Sequence, residues 1–210
     1  PTPTPALAPD TVIDNAPAPP PEATRNTSAT FALHSTLAAA TFSCRSDGGT
    51  TASCTSPLTY NRLGEGTHTF SVAATVNGQT DPTPATATWI VDLTAPSVPT
   101  GLTAAPTASV ALTWTASTDN VGVAGYDVFR GGAPLASVGL ITTYTDTAVP
   151  LGTTYSYSVR AQDAAWNLHP LTRQVSAQVS RTDDPPRPHP LSTTHPVRPP
   201  RDINRPPHRT

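Results

Sequence analysis

The chain has 210 residues, of which 26 are proline and only 12% are charged, about half the usual share, so it cannot be uniformly globular. A formal net charge of −2 excludes a general electrostatic attraction to nucleic acid or to an anionic membrane. No apolar run approaches the ~20 residues of a membrane helix, and the length suits one large or two small domains. All the basic residues are arginine, there is no methionine, and the chain opens at Pro1. The expectation is a fragment or processed form, with any signal peptide upstream.

Pro1 to Pro9 alternates Pro with Thr, Ala and Leu and has nothing to bury, which predicts an extended linker. Strand signals begin at Thr11-Val12-Ile13, and a Pro-rich turn follows at Pro17 to Pro21. Thr30 to His34 turns Phe31 and Leu33 inward; Ala40 to Cys44 turns Ala40, Phe42 and Cys44 inward. The turn Asp47-Gly48-Gly49 leads back into Thr51 to Cys54. Thr67 to Val76 is the longest predicted strand, with Phe70, Val72, Ala74 and Val76 on one face and the hairpin signal Asn77-Gly78 after it. Ala85 to Val91 closes the series with Trp89 and Val91 inward.

Asp92 to Pro99 is a proline-restrained connector, expected to be extended and to set two modules end to end without a broad interface. A second strand series follows at Gly101 to Ala105, Val110 to Thr115, Gly125 to Arg130, Leu135 to Val138, Thr143 to Thr145, Thr154 to Ala161 and Gln174 to Val179. Two of these alternate strictly. Val110, Leu112 and Trp114 share one face, and so do Tyr155, Tyr157, Val159 and Ala161. A period of two with one apolar face marks a half-buried strand, and two such strands facing each other make the centre of a β-sandwich. From Arg181 the pattern stops; a tail of Pro, Arg, His and Thr can build no core. Such text reads as a disordered linker, though GC-rich DNA read in a shifted frame also yields it.

The second series resembles the fibronectin type III family in its secreted bacterial form. The resemblance rests on Leu102, Trp114, the run Ser117-Thr118-Asp119-Asn120-Val121-Gly122-Val123-Ala124-Gly125-Tyr126-Asp127-Val128-Phe129-Arg130, and Tyr155 after Gly152-Thr153-Thr154. It implies a buried Trp114 and a tyrosine corner at Tyr155. There are two departures: Val149-Pro150-Leu151-Gly152 replaces the family's Leu-x-Pro-Gly, and Trp166-Asn167 replaces its Gly-Asn. If that position needs a positive φ, Trp166 is strained. The first series resembles the bacterial Ig-like repeat, on Ala40 to Cys44, Asp47-Gly48-Gly49, Cys54 to Tyr60, Gly66-Thr67-His68-Thr69-Phe70, Asp81 to Pro84 and Thr88-Trp89. The expected organisation is linker 1–8, Ig-like sandwich 9–93, fibronectin type III sandwich 94–181 and tail 182–210, an all-β architecture throughout. Phe70, Trp89, Trp114, Tyr126, Tyr155 and Tyr157 are the expected core aromatics.

Residues capable of chemistry do not converge in the sequence. Cys44 and Cys54, the only cysteines, flank the Asp47-Gly48-Gly49 turn, which brings them within disulfide reach and implies an oxidising compartment. Two cysteines without a nearby His/Cys pair do not supply zinc's four ligands. The six histidines are scattered, with His68 read as a packing or turn residue, and no Gly-x-Ser-x-Gly elbow is present. Asp47, Asp81, Asp119, Asp127, Asp146 and Asp163 read as turn-capping residues. No catalytic residue, cofactor or metal is assigned; the alternative left open is calcium at the junction through Asp10, Asp92 or Asp119, since loop oxygens suit it. Trp166 is the aromatic expected to be exposed and able to stack on a sugar ring.

The resemblance implies a non-catalytic spacer or adhesion module of a secreted or surface protein. The alternatives are the accessory region of a polysaccharide-degrading glycoside hydrolase whose catalytic domain is not in this chain, and a weak carbohydrate-binding module. The implied partners are other domains of the same polypeptide and cell-wall or insoluble polysaccharide. A monomer is expected, extracellular or at the cell surface, with no nucleic-acid partner and no membrane span.

Overall fold

The computed structural model describes residues 7–179, so nearly all of the expected linker and all of the expected tail lie outside the described residues. Those residues are all-β, without a helix. The first ten strands are β1 (Thr11–Ile13), β2 (Ala23–Thr24), β3 (Ala29–Phe31), β4 (Leu33–Ser35), β5 (Thr41–Ser46), β6 (Ala52–Cys54), β7 (Leu58–Tyr60), β8 (Gly66–Val76), β9 (Gln79–Thr80) and β10 (Ala85–Val91). The other seven are β11 (Thr100–Pro106), β12 (Val110–Thr115), β13 (Val123–Arg130), β14 (Ala133–Val138), β15 (Thr143–Asp146), β16 (Thr154–Asp163) and β17 (Val175–Gln178). No ladder joins the two sets, and each has its own buried cluster.

In the first set the order β2-β10-β8-β5-β6 forms the main sheet, with β9 hairpinned onto β8 and separate two-stranded ladders β1-β4 and β3-β7. The apolar alternation of β8 and β10 turns Phe70, Val72, Trp89 and Val91 onto Phe31, Leu33 and Cys44. Phe31 stacks on Phe70 with ring centroids 4.2 Å apart. Of the three residues expected inward on β5 and just before it, only Cys44 is buried; Ala40 and Phe42 are half-buried. The segment expected as one strand from Thr30 to His34 is broken at Ala32. Its backbone N–H donates to the Asn15 side chain, and the next, on Leu33, donates to Ser56 Oγ. Side-chain acceptors distant in sequence thus satisfy the two N–H groups where the chain passes from one ladder into another.

The second set packs β11-β12-β15 against β14-β13-β16-β17, the three-plus-four antiparallel sandwich that the fibronectin type III resemblance implies. Val110, Leu112 and Trp114 meet Tyr126, Val128, Tyr157, Val159 and Ala161 in its centre, with Trp114 edge-on to Tyr126. Gly125 is required by the β13–β14 approach: a Cβ there would stand 2.5 Å from the Val138 carbonyl oxygen. Tyr155, expected at the corner, is half-buried beneath the Arg130 guanidinium. It is Tyr157 whose buried hydroxyl is tied down, donating to Asp146 at 2.9 Å while Arg130 pairs with the same carboxylate. Burial pushes the Tyr157 phenol upward, and that hydrogen bond adds to the shift.

Candidate functional site at the junction of the two sandwiches

Three loops meet where β10 gives way to β11, and each is shaped by an aspartate. Asp92 follows the last residue of β10; its Oδ1 accepts from Thr94 N–H at 3.2 Å. Asp119 lies in the β12–β13 loop. That loop is anchored by Ser117 N–H donating to the buried Tyr126 hydroxyl and by Thr118 N–H donating to Ser97 Oγ in the connector. Asp119 Oδ2 accepts from Val121 and Gly122 N–H, at 2.9 and 2.8 Å. Asp163 ends β16, and its Oδ1 accepts from Asn167 N–H at 2.8 Å. The β13–β16 register sets Val123 opposite Asp163, which brings the Asp119 loop beside it. Asn167 then ties this group to the first sandwich, its Nδ2 donating to the Asp92 carbonyl at 2.9 Å.

A loop N–H therefore accounts for one oxygen of each carboxylate, two residues on for Asp92, two and three for Asp119 and four for Asp163. The second oxygens, Asp92 Oδ2, Asp119 Oδ1 and Asp163 Oδ2, are buried and find no hydrogen-bond donor among the described residues. Oxygens of the three lie within 4.8 Å of one another, and Asp92 and Asp163 are 0% and 2% exposed. Burial raises the Asp92 pKa, and the charges of Asp163, Asp119 and Glu65 raise it further against the Thr94 hydrogen bond. Glu65 at the rim accepts from Asn120 Nδ2 and from the Thr94 hydroxyl. Among the described residues this is the one group of three ligating side chains within reach of a single ion.

Of the residues singled out for calcium, Asp92 and Asp119 are brought together, whereas Asp10 is not in the group; its backbone N–H donates to Thr36 Oγ1. The sequence marks Asp163 only as a turn residue and does not single out Glu65. The antiparallel sandwich places the β12–β13 and β16–β17 loops at one end, so an aspartate at the start of each of those loops is the available signal. Asp127 is not at a turn: it lies within β13 and pairs with Arg160 at 2.7 Å. Cys44 and Cys54 form a disulfide with Cα atoms 5.9 Å apart across the β5–β6 hairpin. Trp166 is 65% exposed and sits at φ 66°, so its backbone occupies the left-handed region.

Among the described residues no hydrolytic machinery is assembled. His68 Nδ1 lies 3.0 Å from Asp47 and Nε2 2.9 Å from the Gly64 carbonyl, so both ring nitrogens are already engaged. His34 pairs with Asp14 at the surface. At the junction Asp92 and Asp163 are buried and Asp119 half-buried, which leaves no room for a sugar ring to pass between them.

No protein-family model matches the chain. Exoglucanase A of Cellulomonas fimi is 51% identical over 94 residues, 42% of this chain and 11% of that protein. Chitinase Chi52 of Paenibacillus xylanexedens is 40% identical over 134 residues, 63% of this chain and 22% of that protein. Among solved structures, the fibronectin(III)-like modules of Clostridium thermocellum CbhA align with a TM-score of 0.49 at 16% identity, over 81% of this chain and 94% of that one. The chain spans less than a quarter of either enzyme it matches, and the likeness is to a segment of each. No helix of the described residues is long and apolar enough to cross a membrane.

Proposed function

We propose that this chain is the non-catalytic accessory region of a secreted polysaccharide-degrading enzyme. In this reading an Ig-like module, residues 9–93, and a fibronectin type III module, residues 94–181, space a catalytic domain from its substrate or from the cell wall. The observation that carries it is the similarity to short segments of an exoglucanase and a chitinase, together with the lack of any catalytic constellation among the described residues. The Cys44–Cys54 disulfide supports an oxidising, extracellular setting.

The full chain is expected to release no reducing sugar from swollen cellulose or colloidal chitin; measurable release would overturn the non-catalytic reading. A pull-down on the same solids separates spacer from binding module. Carbohydrate-binding surfaces need several coplanar exposed aromatics, and Trp166 is the only aromatic among the large exposed apolar residues described. Retention that is lost in Trp166→Ala would transfer the assignment to a carbohydrate-binding module.

A further inference from the structure

The junction carboxylates present an unbalanced charge. None of the ion pairs among the described residues involves Asp92, Asp119 or Asp163. The amide groups nearby are committed, Asn120 Nδ2 to Glu65 and Asn167 Nδ2 to the Asp92 carbonyl. Three buried carboxylate oxygens that face one another without donors are unfavourable in any protein interior unless protons or a cation offset them. We propose that Asp92 Oδ2, Asp119 Oδ1 and Asp163 Oδ2 form a calcium site that pins the joint between the two sandwiches.

The ligand set selects the ion. All three donors are carboxylate oxygens with no histidine or cysteine, which suits a hard cation rather than zinc or copper. Their spread of up to 4.8 Å is one that ligands 2.3–2.6 Å from a common ion can span. The three come from a connector and two separate loops, an irregular frame. Calcium takes six to eight oxygens in flexible geometry and accepts carbonyls and waters for the rest, while magnesium demands a near-ideal octahedron. The consequence is mechanical. Asp92 belongs to the exit of the first sandwich, Asp119 and Asp163 to the second, so one ion would cross-link the modules and stiffen the hinge that Leu93 and Thr94 otherwise leave to a few hydrogen bonds. This site stands on the chain's own geometry whatever the accessory reading proves to be.

The test uses the full chain stripped with chelator, then titrated with calcium chloride in calorimetry and in thermal melts at fixed salt. One ion per chain is expected, with a Kd on the order of 10⁻⁴ M as in extracellular modules. At ~100 times that concentration Tm should rise by roughly 5–10 °C. Asp119→Asn and Asp163→Asn each keep the oxygen that accepts from the turn. They should weaken binding at least ~10-fold and flatten the Tm response. Their metal-free forms should melt no lower than the stripped parent, because a repulsive charge is gone, which separates lost binding from lost fold. Asp14→Asn, at an exposed site in the first sandwich, should bind as the parent does. Absence of heat and of a Tm shift up to ~10 mM calcium would overturn the site, as would an undiminished response in the Asp119→Asn/Asp163→Asn double variant. Magnesium matching calcium at equal concentration would overturn the choice of ion.

Discussion

The two sandwiches hold themselves together differently. The first is assembled from short pieces: β2, β3, β4, β6, β7 and β9 have two or three residues each, and two of its ladders stand apart from the main sheet. Its centre is a stack of aromatics, Phe31, Phe70 and Trp89, and its β5–β6 edge carries the Cys44–Cys54 bond. The second has no cysteine. Its central strands β13 and β16 run eight and ten residues side by side, and aliphatic side chains from both sheets close around Trp114 and Tyr126. Long ladders distribute cohesion along the strand, whereas three-residue ladders lose it at once when they fray. The cross-link sits on one of these short ladders, the three-pair β5–β6 edge.

The largest test of that contrast is to remove the hub of the uncross-linked sandwich. Trp114→Ala should cost about 3–5 kcal/mol, comparable to the whole stability of a small domain. In a Trp166→Phe background, where Trp89 is the remaining tryptophan, chemical denaturation followed by the Trp89 signal of the first sandwich and by near-ultraviolet tyrosine signals of the second should then split into two transitions, with only the second moved. A single transition in which both sandwiches fail together would mean that the joint, not the separate cores, sets stability. Next in size is reduction of the disulfide. Closing a loop with a sequence separation of 10 is worth about 2.7 kcal/mol in the chain-entropy picture. Reductant, or the Cys44→Ala/Cys54→Ala pair, should lower the first transition by about that amount and leave the second in place.

The same contrast decides what could be read in the sequence. Residues of β8 and β12 alternate strictly, and their burial follows that alternation, because a strand with one dry face has a period that no neighbour alters; β16 departs from it at Ser158, which is buried between Tyr157 and Val159. The pieces β2, β7 and β9 carry no such period: two or three residues cannot display one. The break at Ala32 depends on Asn15 and Ser56, which reach it from 17 and 23 positions away. The junction was half legible. Asp92 and Asp119 stood out as loop oxygens near a connector, but Asp163 joins them only through the β13–β16 register. Tyr157 rather than Tyr155 is the anchored tyrosine because the Asp146 carboxylate, eleven residues distant in sequence, meets its hydroxyl, a pairing that the local pattern around Tyr155 does not display.

Trp166 gives a smaller and opposite effect. A non-glycine residue in the left-handed region costs about 1 kcal/mol, and this side chain is largely exposed, so it recovers little by packing. Trp166→Gly, which restores the glycine that the family resemblance expects, should stabilise the second sandwich by about 1 kcal/mol despite deleting its most exposed aromatic. A loss in Tm would show that the indole packs on the junction in solution.

The smallest expected effect is in pH, and it again distinguishes the two halves. In the first sandwich His68 stacks on Trp89 and sits between the Asp47 carboxylate and the Gly64 carbonyl. Burial opposes its charge, but the Gly64 and Asp47 hydrogen bonds outweigh burial and raise its pKa; the same pairing lowers that of Asp47 against its own desolvation. A raised histidine contributes stability that is complete below its unfolded value, about 6.5, and lost as pH climbs through the folded value. A lowered aspartate contributes stability that is complete above its unfolded value, about 4, and lost as pH falls through the folded value. The first sandwich should therefore be most stable between about pH 4 and 6.5 and should weaken from there toward pH 9. The second relies on Arg130 with Asp146 and Arg160 with Asp127; Arg130 is held above and Asp127 below its ordinary pKa, so neither of those two groups titrates in that range. Melts of the full chain from pH 6 to pH 9 should lower the first transition and not the second, and His68→Gln should abolish the slope. A slope that survives in His68→Gln would assign it to another group.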